Sequence, residues 1–110
     1  MTALSEGLRD LLDRVERRLP DRPIVEKSMF GMVAIMLDGE MLVAAHKDGS
    51  ILVRVARDAD AELMARPESS RLQMGSKAMG AGWIRVDESA VAEDELLDFW
   101  LERALERRGR

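Results

Sequence analysis

The chain contains no cysteine and no tyrosine, and it has a single histidine among its 110 residues. Without cysteine it can form neither disulfides nor thiolate metal sites, and it offers no thiol nucleophile. A single histidine excludes a histidine-based metal cluster within one chain. The longest apolar run, at residues 29–37, is far shorter than the roughly 18 to 20 residues of a membrane span. We therefore expect no transmembrane helix and no cysteine or multi-histidine chemistry.

The N-terminus and the charge balance narrow the class of protein further. The first ten residues lack the apolar core of a signal peptide and become acidic early, so a cytoplasmic location is expected. The net charge is −4, which is unfavourable for nucleic-acid binding because that function needs a basic face to displace counterions. The length fits one domain, residues 1–110.

An amphipathic helix is predicted at the N-terminus. Apolar residues recur there at helical spacing, and charged residues fill the opposite face. Pro20 is predicted to end this helix. The apolar positions are Leu4, Leu8, Leu11, Leu12, Val15 and Leu19.

Two Asp-Gly dipeptides, at 38–39 and 48–49, separate apolar runs and predict tight hairpins. The first run contains Gly31, so it is either two strands or one bulged strand. The pattern predicts an antiparallel meander rather than a parallel sheet. The runs lie at residues 24–37, 41–46 and 51–55.

The second half of the chain predicts a short helix, with Asp58 as its N-cap and Pro67 at its end. The predicted fold class is α+β: an N-terminal helix, an antiparallel meander sheet of about four to five strands, a short helix, and a C-terminal helix packed on one sheet face. The remaining segments are predicted as a weak strand and loop at 69–82, a strand at 83–86, a connector at 87–90 and a closing helix at 91–107.

The meander runs are apolar at nearly every position, although a strand covered on one face should alternate polar and apolar residues. Both faces of this part of the sheet are therefore expected to be dry. The second face is predicted to be covered by the short helix and residues 69–82, or by a second copy of the chain in a homodimer. Methionines cluster here, and such a cluster is either core or an adaptable binding surface: Met29, Met32, Met36 and Met41.

Two groups of polar residues near the turns are candidate chemical sites. His46, Asp48 and Ser50 contain the residue types of a catalytic triad, but a triad needs side chains from separate elements, so a turn cluster is favoured. Asp38 and Glu40 offer oxygen ligands for a hard cation, yet they are typical turn residues.

Residues 75–82 are rich in glycine and include Lys77, but Ala81 stands where a phosphate-binding loop requires lysine. The alternative of a small-ligand-binding or enzymatic domain needs Lys77 to converge with His46 or Arg54. The C-terminal arginines complement the negative end of the closing helix: Arg103, Arg107, Arg108 and Arg110.

Several segments together resemble the TfoX N-terminal domain family, in its small stand-alone members. The resemblance implies an α+β fold similar to that of secretion-chaperone-type domains, and no established enzymatic activity. Competence regulators of this family carry a second, C-terminal domain, which this chain is expected to lack. The matching segments are KSMFG at 27–31, DGEM at 38–41, HKDGSILVRV at 46–55, MGAGWIRV at 79–86 and LLDFWLERA at 96–104.

The sequence thus predicts a non-enzymatic interaction domain that acts through a protein partner or its own dimer. A nucleic-acid-associated regulator of competence or transcription is an alternative suggested by the resemblance. No catalytic residue, cofactor or metal is assigned. The predicted partner surface is formed by Met29, Phe30, Met32, Met36, Met41, His46, Lys47 and Asp48.

Overall fold

A computed structural model of the chain describes residues 6–19, 23–29, 31–74 and 76–108. The α+β class is confirmed. Leu4, Pro20, Phe30, Gly75 and Arg110, which carry some of the expectations above, lie outside the described residues.

The helices are α1 (Glu6–Arg17), a 3₁₀ turn (Arg57–Ala59), α2 (Asp60–Met64), α3 (Glu88–Val91) and α4 (Asp94–Arg108). The strands are β1 (Ile24–Met29), β2 (Met32–Leu37), β3 (Glu40–His46), β4 (Ile51–Arg54), β5 (Ser69–Ser70), β6 (Gln73–Met74), β7 (Lys77–Ala78) and β8 (Trp83–Val86).

Six strands form one antiparallel sheet in the order β1-β2-β3-β4-β8-β5, and β6 and β7 form a separate hairpin. The meander β1–β4 follows the chain, as the Asp-Gly turns predicted. The first apolar run is two strands, with Gly31 in the turn between them. A bulge in β3 shifts the register so that Val43 pairs with Ile35 and Met41 pairs with Met36. Leu42 therefore joins the main core.

The main core lies between the sheet and the two long helices, which cover the same sheet face. α1 contributes Leu12 and Val15, and α4 contributes Leu97 and Trp100, all four fully buried. Burying such side chains contributes roughly 1.5–3 kcal/mol each before entropy is counted. A second, smaller apolar cluster lies on the opposite sheet face, formed by Met32, Ala34, Met41, Ala44 and Leu52.

Three local predictions need correction. Asp58 is not an N-cap, because the chain enters the 3₁₀ turn at Arg57 and Ala56 occupies the cap position. The predicted connector at 87–90 forms part of α3, where the Asp87 side chain caps the helix by accepting from the Ser89 amide. The segment 69–82 contains three two-residue strands rather than one weak strand.

None of the helices in the described part of the chain is long and apolar enough to cross a bilayer.

Candidate functional site

The four methionines of the meander share the sheet face that points away from α1 and α4. Strand register aligns Met29 with Met32 across one row, and it aligns Val25, Met36 and Met41 across another. Side chains on one strand face repeat every second residue, so all five project to the same side. We call this set, Val25, Met29, Met32, Met36 and Met41, the methionine face.

The methionine face is only partly covered. Met32 and Met41 are buried, Met29 and Met36 are half-buried, and Val25 is 61% exposed. The second-face cluster receives Leu72 and Met79 from the two sides of the β6–β7 hairpin, together with Trp83 from β8. Residues 69–82 therefore cover this face in part, as expected, while α2 packs its Leu63 into the main core instead. At the β1 end of the face, Val25 is largely exposed.

Strand β1 is also an edge of the sheet, since among the described residues it pairs only with β2. Its centre carries Glu26 and Lys27. Arg9 of α1 binds Glu26 through two hydrogen bonds of 3.0 and 2.5 Å. An edge strand presents backbone groups that another strand can pair with, and charges on it discourage unwanted pairing.

The polar end of the predicted surface is a turn rather than a catalytic triad. The Ser50 hydroxyl donates to Asp48 at 2.5 Å, the Ser50 amide donates to the same carboxylate oxygen at 2.8 Å, and Arg85 donates to the other oxygen at 3.2 Å. Burial raises the pKa of Asp48, but these hydrogen bonds outweigh it and hold that pKa well below its usual range. His46 accepts from the Asp48 amide at 3.2 Å. Ser50 is thus committed to Asp48, and no nucleophile–base pair forms here.

A partly buried ion pair, which sequence reasoning missed, holds the segment that leads into β8. Arg71 binds the Asp60 carboxylate through both terminal nitrogens, and the Gly82 amide donates to Asp60 at 2.8 Å. Arg71 also donates to the carbonyl oxygens of Gly80 and Trp83, at 3.1 and 2.8 Å. The Arg71 hydrogen bonds lower the pKa of Asp60 despite its burial. The pair therefore holds residues 80–83 against the start of α2.

Next to this pair lies a cavity of about 280 Å³ with three arginines in its wall: Arg54, Arg57 and Arg107. Gly82 and Trp83 form another part of the wall. The Arg54 guanidinium carbon lies 5.0 Å from the Trp83 ring centroid, in a cation–π contact. We call this feature the arginine cavity.

The convergence required by the small-ligand alternative is not found. Lys77 is exposed on β7 and does not line the arginine cavity. His46 ends β3 opposite Ser50, while Arg54 ends β4, so the two lie about 13 Å apart along the strands. Arg54 does share a cavity with the end of the glycine-rich segment, but without Lys77 or His46. Among the described residues, no group of three or more His, Asp or Glu side chains is placed to hold a metal ion.

Comparison with protein families gives one match, to the TfoX N-terminal domain at residues 17–107. No curated protein matches the chain. The matched region contains the described strands, the helices after α1 except the last residue of α4, the methionine face and the arginine cavity. Both candidate surfaces therefore lie within the matched domain.

Proposed function

The chain belongs to the TfoX N-terminal domain family, and from that premise we propose that it is a non-enzymatic interaction domain working through protein–protein contacts. Membership of this family makes the chain similar to the N-terminal domain of competence regulators, and the family is not a known enzyme family. The observation that carries the proposal is the open end of the methionine face beside an edge strand. Methionine side chains are flexible and polarisable, so they can adapt their conformations to the shape of a bound partner.

The exposed position of Val25 supports a docking role. Val25 stands in the same cross-strand row as half-buried Met36, so an incoming apolar side chain would find two adjacent contacts. Burying Val25 and the half-buried methionines would remove apolar area from water at roughly 25 cal/mol per Å². The β1 backbone alongside would add strand pairing, as in other cases of β-augmentation.

The occupant that fits β1 is an extended segment of a different protein. In a symmetric antiparallel dimer, the residue at the two-fold axis faces its own copy. Registers centred on β1 then place Glu26 opposite Glu26 or Lys27 opposite Lys27. Like charges directly opposite one another in a sheet are destabilising. A heterologous strand escapes this repulsion because it need not repeat the β1 sequence.

Site-specific photocrosslinking in the native cell tests the proposal. A photoreactive amino acid replaces Val25 or Met36, and a matched control carries it at Glu102, which is well exposed on α4. We expect a crosslinked product of one defined mass at positions 25 and 36 and none at 102. Products no stronger than those of the control would contradict the docking surface. A product of twice the chain's mass would show a second copy and overturn the choice of a heterologous partner.

A further inference from the structure

The arginine cavity has no role in the partner surface. It opens beside the C-terminal end of β4, where the 3₁₀ turn, the start of β8 and the end of α4 each bring part of the wall. The wall arginines come from positions 54, 57 and 107, so only the tertiary fold assembles them. The chain has a net charge of −4, yet three guanidinium groups line this one cavity.

These arginines are poorly neutralised within the described residues. Arg54 contacts the Trp83 ring instead of a carboxylate. Arg57 donates no hydrogen bond and forms no ion pair there, and it acts on Asp60 only through its charge. Arg107 reaches Glu40 at 4.0 Å, the outer limit of an ion pair. Like charges around one cavity repel, and a bound anion would offset that repulsion.

Hydrogen bonds and close packing hold the rest of the wall, at Gly82 and Trp83. Gly82 has φ +93, and a Cβ on it would lie 3.2 Å from the Val55 carbonyl oxygen and 3.5 Å from Cγ of Arg57. Its carbonyl accepts from the Val55 amide at 2.8 Å, and its amide is held by Asp60. Arg54 is oriented by the Trp83 ring. A hydrogen-bonded wall and an oriented guanidinium reduce the ordering cost of binding.

We infer that the arginine cavity binds the pyrophosphoryl group of a small molecule. Arginine guanidinium groups match phosphate oxygens in charge and in their fork-shaped donor geometry. Three positive charges call for a ligand with more than one negative charge. The volume of about 280 Å³ falls below the roughly 300–1,000 Å³ of pockets for drug-sized ligands. The enclosed part of the ligand is therefore small, either free pyrophosphate or the diphosphate of a nucleotide.

Titration calorimetry of the full chain with inorganic pyrophosphate, and separately with ADP, tests this inference. The informative variant is Arg57→Gln, because Arg57 is exposed and its loss breaks no described hydrogen bond. The matched control is Arg17→Gln, which removes one positive charge from the exposed end of α1, outside the cavity wall. We expect Arg57→Gln to weaken pyrophosphate binding about tenfold, as loss of a charge-assisted hydrogen bond predicts. Arg17→Gln should bind as the unaltered chain does.

Thermal unfolding gives a second readout that separates a binding defect from a folding defect. Without ligand, Arg57→Gln should unfold at the same or a higher temperature than the unaltered chain, since it relieves repulsion. Added pyrophosphate should raise the unfolding temperature of the unaltered chain more than that of Arg57→Gln. Tighter binding of ADP than of pyrophosphate assigns the site to a nucleotide, and equal binding assigns it to the free anion.

Three results would overturn the inference. The first is the absence of pyrophosphate binding at low ionic strength. The second is equal weakening by Arg57→Gln and Arg17→Gln, which would indicate diffuse attraction rather than a site. The third is binding of a DNA duplex without binding of pyrophosphate or ADP, which would assign the arginines to a nucleic-acid backbone.

Discussion

The pair Asp60–Arg71 allows a quantitative test of how residues 80–83 are held. The Asp60 side chain is 8% exposed and that of Arg71 is 26% exposed. The change Arg71→Ala removes both guanidinium contacts from Asp60 and the donor to the carbonyl oxygens of Gly80 and Trp83. Removing one partner of a fully buried pair costs about 3–5 kcal/mol, and the partial exposure of Arg71 reduces the expected cost here to about 2–4 kcal/mol.

Urea unfolding followed by circular dichroism measures this cost. Arg17→Ala is the control, and as a surface change it should stay within about 0.5 kcal/mol of the unaltered chain. The double variant Asp60→Ala with Arg71→Ala removes both charges, so it should lose less than the sum of the single changes. We expect a coupling energy of about 1–3 kcal/mol.

The same variant should change the acid dependence of stability. The folded pKa of Asp60 lies below the unfolded value, so its contribution is present above the unfolded pKa and is lost as pH falls through the folded pKa. Without Arg71 that contribution shrinks, and the deficit of Arg71→Ala should be largest near neutral pH and should narrow in acid. A cost equal to that of Arg17→Ala, or zero coupling in the double variant, would refute this account.

Two further predictions concern Glu16 in α1 and Gly49 in the turn between β3 and β4. Burial and neighbouring Glu26 raise the pKa of Glu16 from 4.5 to about 7. Ionisation of Glu16 therefore lowers the stability of the folded state progressively as the pH rises through this range. Glu16→Gln removes that cost and should raise the free energy of unfolding above pH 7 by about 1–2 kcal/mol, where the 1.36 kcal/mol per pKa unit is halved for solvent screening. Gly49 has φ +93 and a Cβ there would lie 2.9 Å from Glu88 Oε2, so Gly49→Ala should lower the urea midpoint by an amount equivalent to about 1–3 kcal/mol.

Each of these has a clear contrary result. Equal slopes of stability against pH for Glu16→Gln and the unaltered chain would show that Glu16 ionises normally. For Gly49→Ala, the control is Gly7→Ala in α1, where a Cβ meets nothing within 4 Å. Gly7 is the second residue of α1, so the Gly–Ala difference there should be smaller than the roughly 1 kcal/mol of a helix interior, and Gly7→Ala should be neutral or slightly stabilising. Equal effects of the two changes would rule out the close contact with Glu88.

The sequence predicted the meander well because its signals are local. Apolar runs and Asp-Gly turns at 38–39 and 48–49 specify hairpins without reference to the rest of the chain. The apolar character of both strand faces also predicted a second cluster opposite the helices. By contrast, α3 is only four residues long, which is too short to show a hydrophobic repeat, although Asp87 before Ser89 is a recognisable capping signal.

Local sequence signals do not predict the arginine cavity or the Asp60–Arg71 pair. Arg54 and Arg107 are 53 positions apart, and neither stands in a phosphate-binding motif. The sequence pattern indicates a surface charge in an irregular segment for Arg71, and an ordinary acidic residue in the first turn of a helix for Asp60. Both groups form only when β8 inserts beside β4 and carries Gly82 with it.

The pairing of β8 beside β4 also affects the order in which the strands of the sheet form and open. Among the described strands, β5 pairs with β8 alone. β8 pairs with β4 once residues 55–82 have closed a loop. Closing such a loop costs chain entropy before its contacts form, whereas β1–β4 assemble from neighbouring segments. Native-state amide exchange should therefore divide the sheet into two cooperative units, with β5 and β8 opening together below the free energy of global unfolding. The wall of the arginine cavity would open with that second unit.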